Sequence, residues 1–390
     1  MAKTAKKSIL SNARALDGIV EPLLLWFYGE KRSLPWREEP TPYRVWISEI
    51  MLQQTRVEAV KPYFSRFIEA LPDVHALAEA DEDTLLKLWE GLGYYSRARH
   101  LREAARIVCR SFGGELPADF DALLTLPGIG RYTAGAVSSI AFGKRTAAVD
   151  GNVLRVVMRL IASSADILKE STKRAVEEAL LARLPQKPGD FNQALMELGA
   201  LICLPRSAAR CPACPLKRFC LAADLGIQAE LPKKTPPKKK RAEKLSILIL
   251  LQNGKVALEK RPPKGLLAGL WGLPSLPGHW SKEELMKELH SLGFSHVKLT
   301  KLPAAKHIFS HITWQMIGWR VEIDEPGTSP TPPSCQTLFS PSSQIRETSV
   351  SYGSMPKESP SFFWATEKEM LDTYSIPAAY RSYFPYISEI

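Results

Sequence analysis

The stretch LPGIGRYTAGAVSSIAFG, residues 126–143, followed by AAVDGNVLRV at 147–156, decides how the rest of the chain is read. Gly128 and Gly130 sit two apart after Pro127, between a short helical pattern over 120–126 and a longer one over 132–143. Such a turn exposes backbone N–H groups where the second helix begins, and an exposed helix N-terminus is an anion site. A lone Gly-x-Gly is no more than a connecting turn. Flanked on both sides by helical periodicity, this one reads as a helix-hairpin-helix unit.

Outward from that unit, the periodicity predicts further helices over 46–60, 84–92, 96–111, 153–160, 173–184 and 191–202, so residues 1–230 read as an all-α domain. The basic run LPKKTPPKKKRAEK, 231–244, then carries six of the chain's eleven net positive charges. Prolines and lysines in that density predict an extended, self-repelling linker. Beyond it the period shortens. SILILL and VALEKR flank Asn253-Gly254, a strong hairpin signal. Ser281 and Glu284 have the spacing of a capping box. TWQMIGWRVEI at 313–323 alternates like a strand. Residues 245–390 therefore read as a second, α+β domain, with a long Pro- and Ser-rich loop over 325–360. A length of 390 residues accommodates two such cores.

Composition narrows the function classes. Hydrophobic residues at 45% and charged residues at 24% are globular values, and no apolar run approaches the ~20 residues of a membrane span. The N-terminus has basic residues but no apolar stretch with a cleavage site, so an intracellular chain without a membrane partner is expected. A net charge of +11 points to a polyanion, because Lys and Arg that neutralise phosphates release counterions.

Two further segments carry chemistry. In VWISEIMLQQTRVEAV, 45–60, Trp46, Ile50 and Val57 share a helix face with Glu49 beside them. From spacing alone that glutamate fits a solvated surface or a catalytic site. In CLPRSAARCPACPLKRFC, Cys203, Cys211, Cys214 and Cys220 fall in one run, apart from Cys109 and Cys335. Four thiols this close in an intracellular chain read as a metal site, and their chemistry alone suits zinc or an iron-sulfur cluster.

Together, LPGIGRYTAGAVSSIAFG and VDGNVLRV resemble the helix-hairpin-helix and Gly/Pro-Asp motif of the endonuclease III superfamily of DNA glycosylases, and SEIMLQQT resembles the glutamate helix of the adenine glycosylases of the MutY family. The resemblance spans roughly residues 10–323 and 362–384. It implies that the hairpin around Gly128 and Gly130 grips a DNA phosphate, that Glu49 is the general acid and that Asp150 stabilises the oxocarbenium-like sugar or bonds briefly to C1′. Superfamily members that also cut the backbone carry a lysine just after Gly-x-Gly-Arg, whose amine forms a Schiff base. Here that place is Tyr132, which implies a monofunctional enzyme.

By the same resemblance Tyr132 and Asn152 support the sugar and Asp150, and Trp36 and Arg37 line the adenine pocket. Gln54 and Tyr94 would fill the gap left by a flipped base. The cysteine run follows FNQALMELGALIC as the [4Fe-4S] loop does in the family, although its first gap is seven residues rather than six. GLLAGLWGLPSLPGHWSKEELMKELHSLGF resembles the family's Nudix-like domain with most metal-binding glutamates missing. Phe309, Ser310 and His311 match its Phe-Ser-His loop, which reads 8-oxoguanine. The implied partner is duplex DNA with adenine opposite 8-oxoguanine or guanine, bound by a monomer; the implied compartment is the bacterial cytoplasm or a eukaryotic nucleus. An endonuclease III-type lyase, a non-catalytic hairpin protein and a Nudix hydrolase are the rivals.

Overall fold

The computed structural model describes residues 9–236, 239–291, 294, 296–324 and 362–388. The expected loop over 325–360, Cys335 and Leu292 lie outside them. Contacts divide the chain into one compact unit over 1–81 and 94–237 and another over 82–93 and 238–390.

The first unit is helical. Its longer helices are α1 (Val20–Glu30), α2 (Pro42–Leu52), α3 (Val57–Ala70), α4 (Ser96–Ser111), α5 (Arg131–Ile140), α6 (Gly151–Leu160), α7 (Glu170–Leu181) and α8 (Pro188–Leu201). Residues from α1, α6, α7 and α8 share a core that includes Leu23, Phe27, Val153, Val157, Val176, Phe191 and Leu195. Cys203, Cys214 and Cys220 pack against that core.

The single helix expected over 46–60 is two. The chain breaks after Leu52 and resumes at Val57, with Gln54 in the left-handed region at φ 61°. Val57 therefore does not share a face with Trp46 and Ile50. Helix α2 is buried on nearly every side, from Val45 through Met51, so it has no solvated face to which Glu49 could turn. Thr41 caps it by accepting from the N–H of Arg44 at 3.3 Å.

In the second unit, β1 (Arg241–Gln252), β2 (Lys255–Lys260), β3 (Trp271–Gly272), β4 (Ser275–Pro277), β5 (Val297–Ile308), β6 (Ile312–Ile323) and β7 (Phe362–Ala365) form one mixed sheet. Its main path runs β3-β2-β1-β6-β5, with β1 and β6 parallel. The hairpin at Asn253-Gly254 forms, both residues having positive φ (49° and 71°) as a type I′ turn requires. Helix α9 (Lys282–Ser291) begins with the reciprocal cap: the N–H of Ser281 donates to Glu284 Oε2 at 2.7 Å, and the N–H of Glu284 to Ser281 Oγ at 3.2 Å.

Two boundaries differ from the expected ones. Residues 241–244 are strand, paired with 312–315 on β6, so the linker is shorter than 231–244. The helix Glu82–Leu88, expected in the helical domain, belongs to the second unit, where Lys87 Nζ donates to the carbonyls of Leu371 (2.5 Å) and Tyr374 (3.1 Å).

Candidate active site

Helices α2, α5, α6 and α8 enclose a groove of about 940 Å³ in the helical unit, lined among others by Trp36, Arg37, Glu49, Gln54, Gly130, Tyr132, Asp150 and Asn152. Glu49 is 6% exposed. The Tyr132 hydroxyl donates to its Oε2. Burial pushes the Glu49 carboxyl up to about 7, and the charge of Asp150 pushes the same way, outweighing the Tyr132 hydrogen bond and Arg37. Burial also keeps the Tyr132 phenol far above its ordinary range, so at neutral pH Tyr132 remains a donor.

Asp150 is the N-cap of α6. Its Oδ1 accepts from the N–H of Val153 at 2.7 Å and its Oδ2 from Asn152 Nδ2 at 2.8 Å. Burial raises this carboxyl too, but those donors and Arg155 oppose the rise. The positive end of α6 adds to them. Glu49 is thus lifted to about 7 chiefly by burial, whereas the rise that burial causes at Asp150 is opposed by its backbone and side-chain donors. Asn152 is fixed from behind: Arg155 Nη2 donates to Asn152 Oδ1 (2.9 Å) and to the Gly199 carbonyl (2.7 Å), while its Nε reaches the Cys203 carbonyl (2.7 Å). A Cβ on Gly199 would lie 2.6 Å from Asn152 Cβ, so only glycine lets α8 approach this closely.

Glu197 was not legible as a site residue. Arg32 donates to it through Nε (2.8 Å) and Nη2 (2.9 Å), and Arg37 through Nη2 (3.0 Å). Burial would raise its carboxyl, yet the two guanidiniums hold it down at about 2. Arg37 also donates to Gln193 Oε1 and to the Arg32 carbonyl. The wall formed by Trp36 and Arg37 is thereby fixed to α8. Arg97 was missed as well. From α4, its Nη1 reaches the carbonyls of Ile50 (2.7 Å), Met51 (3.0 Å) and Gln53 (2.7 Å), closing the end of the helix that carries Glu49.

Of the hairpin glycines, Gly128 has φ 78°, and a Cβ there would lie 2.8 Å from His100 Cβ. Gly130 differs. Its φ of −93° suits any residue, so the turn itself does not require glycine there; nothing lies within 4 Å of an added Cβ, which leaves the start of α5 open to a ligand. Tyr94 does not line the groove. It is 46% exposed, with φ 48°, beside the Arg97 guanidinium.

In the second unit Phe309, Ser310 and His311 form the turn between β5 and β6. Phe309 N–H donates to the Ile312 carbonyl at 2.9 Å, and its ring packs edge-on against Trp314 at 4.9 Å. Ser310 and His311 are exposed and within 3.1 Å of each other, Oγ to Nδ1.

The four sulfurs of the cysteine run are free thiols, partly buried. Burial above all, and then Cys203, Cys220 and Cys211, push the Cys214 thiol up to about 12. Among the described residues no group of three or more His, Cys, Asp or Glu side chains is arranged to hold a metal ion. The donor set is four thiols near one another, since Cys203, Cys211 and Cys220 all act on Cys214 and two of them, Cys203 and Cys211, act on Cys220 as well; four sulfur donors are the chemistry a tetrathiolate group takes. Arg159, 1% exposed, supplies a fixed positive charge beside them: its Nη1 lies 3.2 Å from Cys203 Sγ and 2.8 Å from the Leu204 carbonyl.

Residues 47–185 match the HhH-GPD superfamily of base excision DNA repair proteins, and residues 246–385 match the NUDIX domain. An adenine DNA glycosylase of Mus musculus is 36% identical, the match covering 86% of this chain and 77% of that one. An adenine DNA glycosylase of Homo sapiens is also 36% identical, over 81% of this chain and 69% of its own length. A solved thermostable thymine-DNA glycosylase is 30% identical with a TM-score of 0.49, covering 55% of this chain and 98% of that one. With relatives this similar along most of both chains, the chain belongs to the adenine DNA glycosylase family.

Proposed function

We propose that this protein removes adenine mispaired with 8-oxoguanine or guanine in duplex DNA, by hydrolysis of the N-glycosidic bond without cutting the strand. The observation that carries the reading is a buried Glu49, held near a pKa of 7, in the same groove as Asp150, whose two oxygens accept from the N–H of Val153 and from Asn152 Nδ2. The extruded adenine accepts the Glu49 proton at N7, which makes it a good leaving group, and the C1′–N9 bond breaks. Asp150 stabilises the positive charge that develops at C1′, or bonds to it transiently, and water completes the hydrolysis. Tyr132 holds Glu49 through its hydroxyl and has no amine with which to form an imine. Gln54 and Tyr94 occupy the space the base leaves.

Cys203, Cys211, Cys214 and Cys220 would hold a [4Fe-4S] cluster, which orders the loop and takes no part in the hydrolysis. Iron analysis of purified protein should give about four atoms per chain with absorption near 400 nm; one zinc in a colourless protein would exclude the cluster. Incubation with a duplex carrying adenine opposite 8-oxoguanine should give broken strands only after hot alkali. Breakage without alkali would support the lyase instead.

Phe309, Ser310 and His311 read the 8-oxoguanine edge. Ser310→Ala and His311→Ala should each reduce the preference for 8-oxoguanine over guanine, by about 1 to 3 kcal/mol for one edge contact, with the rate on guanine mispairs retained. Unchanged preference in both variants would remove this turn as the reader.

A further inference from the structure

Six basic side chains line the groove: Lys31, Arg32, Arg37, Arg131, Lys173 and Lys234. Four are committed to carboxylates, Arg32 and Arg37 to Glu197, Arg131 to Glu177 and Lys173 to Glu170. Lys31 and Lys234 are exposed and, among the described residues, in no ion pair. Lys31 stands over the rings of Phe27 and Tyr28, at 5.5 and 5.7 Å from their centroids.

Lys234 belongs to the stretch that reads by sequence as a solvated tether, yet its backbone is tied down. The Ile167 N–H donates to the Lys233 carbonyl at 3.2 Å. The Thr235 N–H donates to Asp166 Oδ2 at 3.3 Å, and the Thr235 hydroxyl donates to the same oxygen. Buried Arg159 Nε donates to the Leu231 carbonyl at 3.0 Å. Residues 231–235 are thus bound to the helical unit on both sides of Lys234, which keeps this lysine at the groove along with Ile167 and Leu168.

We infer that residues 231–235 form part of the DNA-binding face, with Lys234 and Lys31 each neutralising one phosphate of the duplex whose base enters the groove. The chemistry favours a phosphate backbone: among the described residues neither lysine is in an ion pair, both are exposed, and both stand beside a cavity whose remaining cations are already paired. Binding there releases condensed counterions, a gain independent of base sequence. The inference rests on the groove being the DNA site, as proposed above, but it does not depend on the roles given to Glu49 and Asp150.

The test is binding of the full chain to a short undamaged duplex, by fluorescence anisotropy across a series of salt concentrations. Lys234→Ala and Lys31→Ala should each lower the steepness of log affinity against log salt by about 0.9, and the double variant by about twice that. Thr235→Val keeps the lysine but loosens its tether, so it should weaken binding, and adding Lys234→Ala to it should give no more than Lys234→Ala alone. A slope in Lys234→Ala equal to that of the unaltered protein overturns the inference. Effects of Thr235→Val and Lys234→Ala that add in full overturn the tether as the device that positions the lysine. Because the duplex holds no lesion, a protein that releases no adenine can still pass this test, and one that does can still fail it.

Discussion

Glu49→Gln should lower the rate of adenine release by about 10² to 10⁴-fold, the range that a positioned acid supplies, while leaving duplex affinity intact. Glutamine has the shape of the carboxyl and can still accept from Tyr132, but it has no proton to give. The same change should stabilise the fold in alkaline solution. With the carboxyl at about 7 in the folded chain against 4.5 ordinarily, the stability that comes from burying it neutral is complete below about pH 4.5 and is lost as pH rises through 7. Above that range an ionised Glu49 costs about 3 kcal/mol. Urea unfolding at about pH 8 should therefore show the variant more stable, with the difference gone near about pH 4. A variant with full activity, or one no more stable at the higher pH, would remove Glu49 as a buried acid.

Glu197→Ala should destabilise the helical unit by about 3 to 5 kcal/mol, because it leaves Arg32 and Arg37 without the carboxylate that both bind. Glu197 has the opposite linkage from Glu49. Held at about 2, it contributes stability that is present above the ordinary carboxylate range near 4.5 and is lost as pH falls through 2. The loss in the variant, read from urea midpoints, should thus be largest at neutral pH and shrink in acid. Arg37 would keep Gln193 and the Arg32 carbonyl, so the groove should loosen rather than collapse. A loss under about 1 kcal/mol would mean that solvent screens the pair as it does at a surface.

What was legible in the sequence is what depends on near neighbours. The helix over 96–111 keeps its bounds, the Asn253-Gly254 turn forms and Ser281 caps α9 with Glu284. Glu49 and Asp150, 101 positions apart, were brought together by the family resemblance and not by any local pattern, and both line one groove. The break between α2 and α3 was not legible. Gln53-Gln54-Thr55-Arg56 contains neither glycine nor proline, and the carbonyls that the break frees are taken up by Arg97, more than 40 residues downstream. Glu197 was hidden for a similar reason. Within FNQALMELGALIC it is the one charged residue, on a helix whose first turn also carries Asp190, and its partners Arg32 and Arg37 lie 165 and 160 positions away. An isolated carboxylate in such a helix is the one local sign that a distant cation must meet it.

The split of 82–93 from the helical unit bears on how the second domain is tested. Leu85, Leu86 and Trp89 are fully buried there, and the Ser375 hydroxyl donates to the Leu86 carbonyl at 3.1 Å. A chain cut near residue 231 would lose that packing, so point changes at Ser310 and His311 test 8-oxoguanine reading more cleanly than truncation does.

The central claim is that a protonated Glu49 delivers the proton that frees adenine. Single-turnover adenine release by the unaltered protein, on a duplex with adenine opposite 8-oxoguanine, measured from about pH 5 to about pH 9, tests it most directly. The rate should fall about tenfold per pH unit above an apparent pKa of about 7. A rate that stays level to about pH 9 would contradict the claim, because a carboxyl titrating near neutrality would then have delivered no proton.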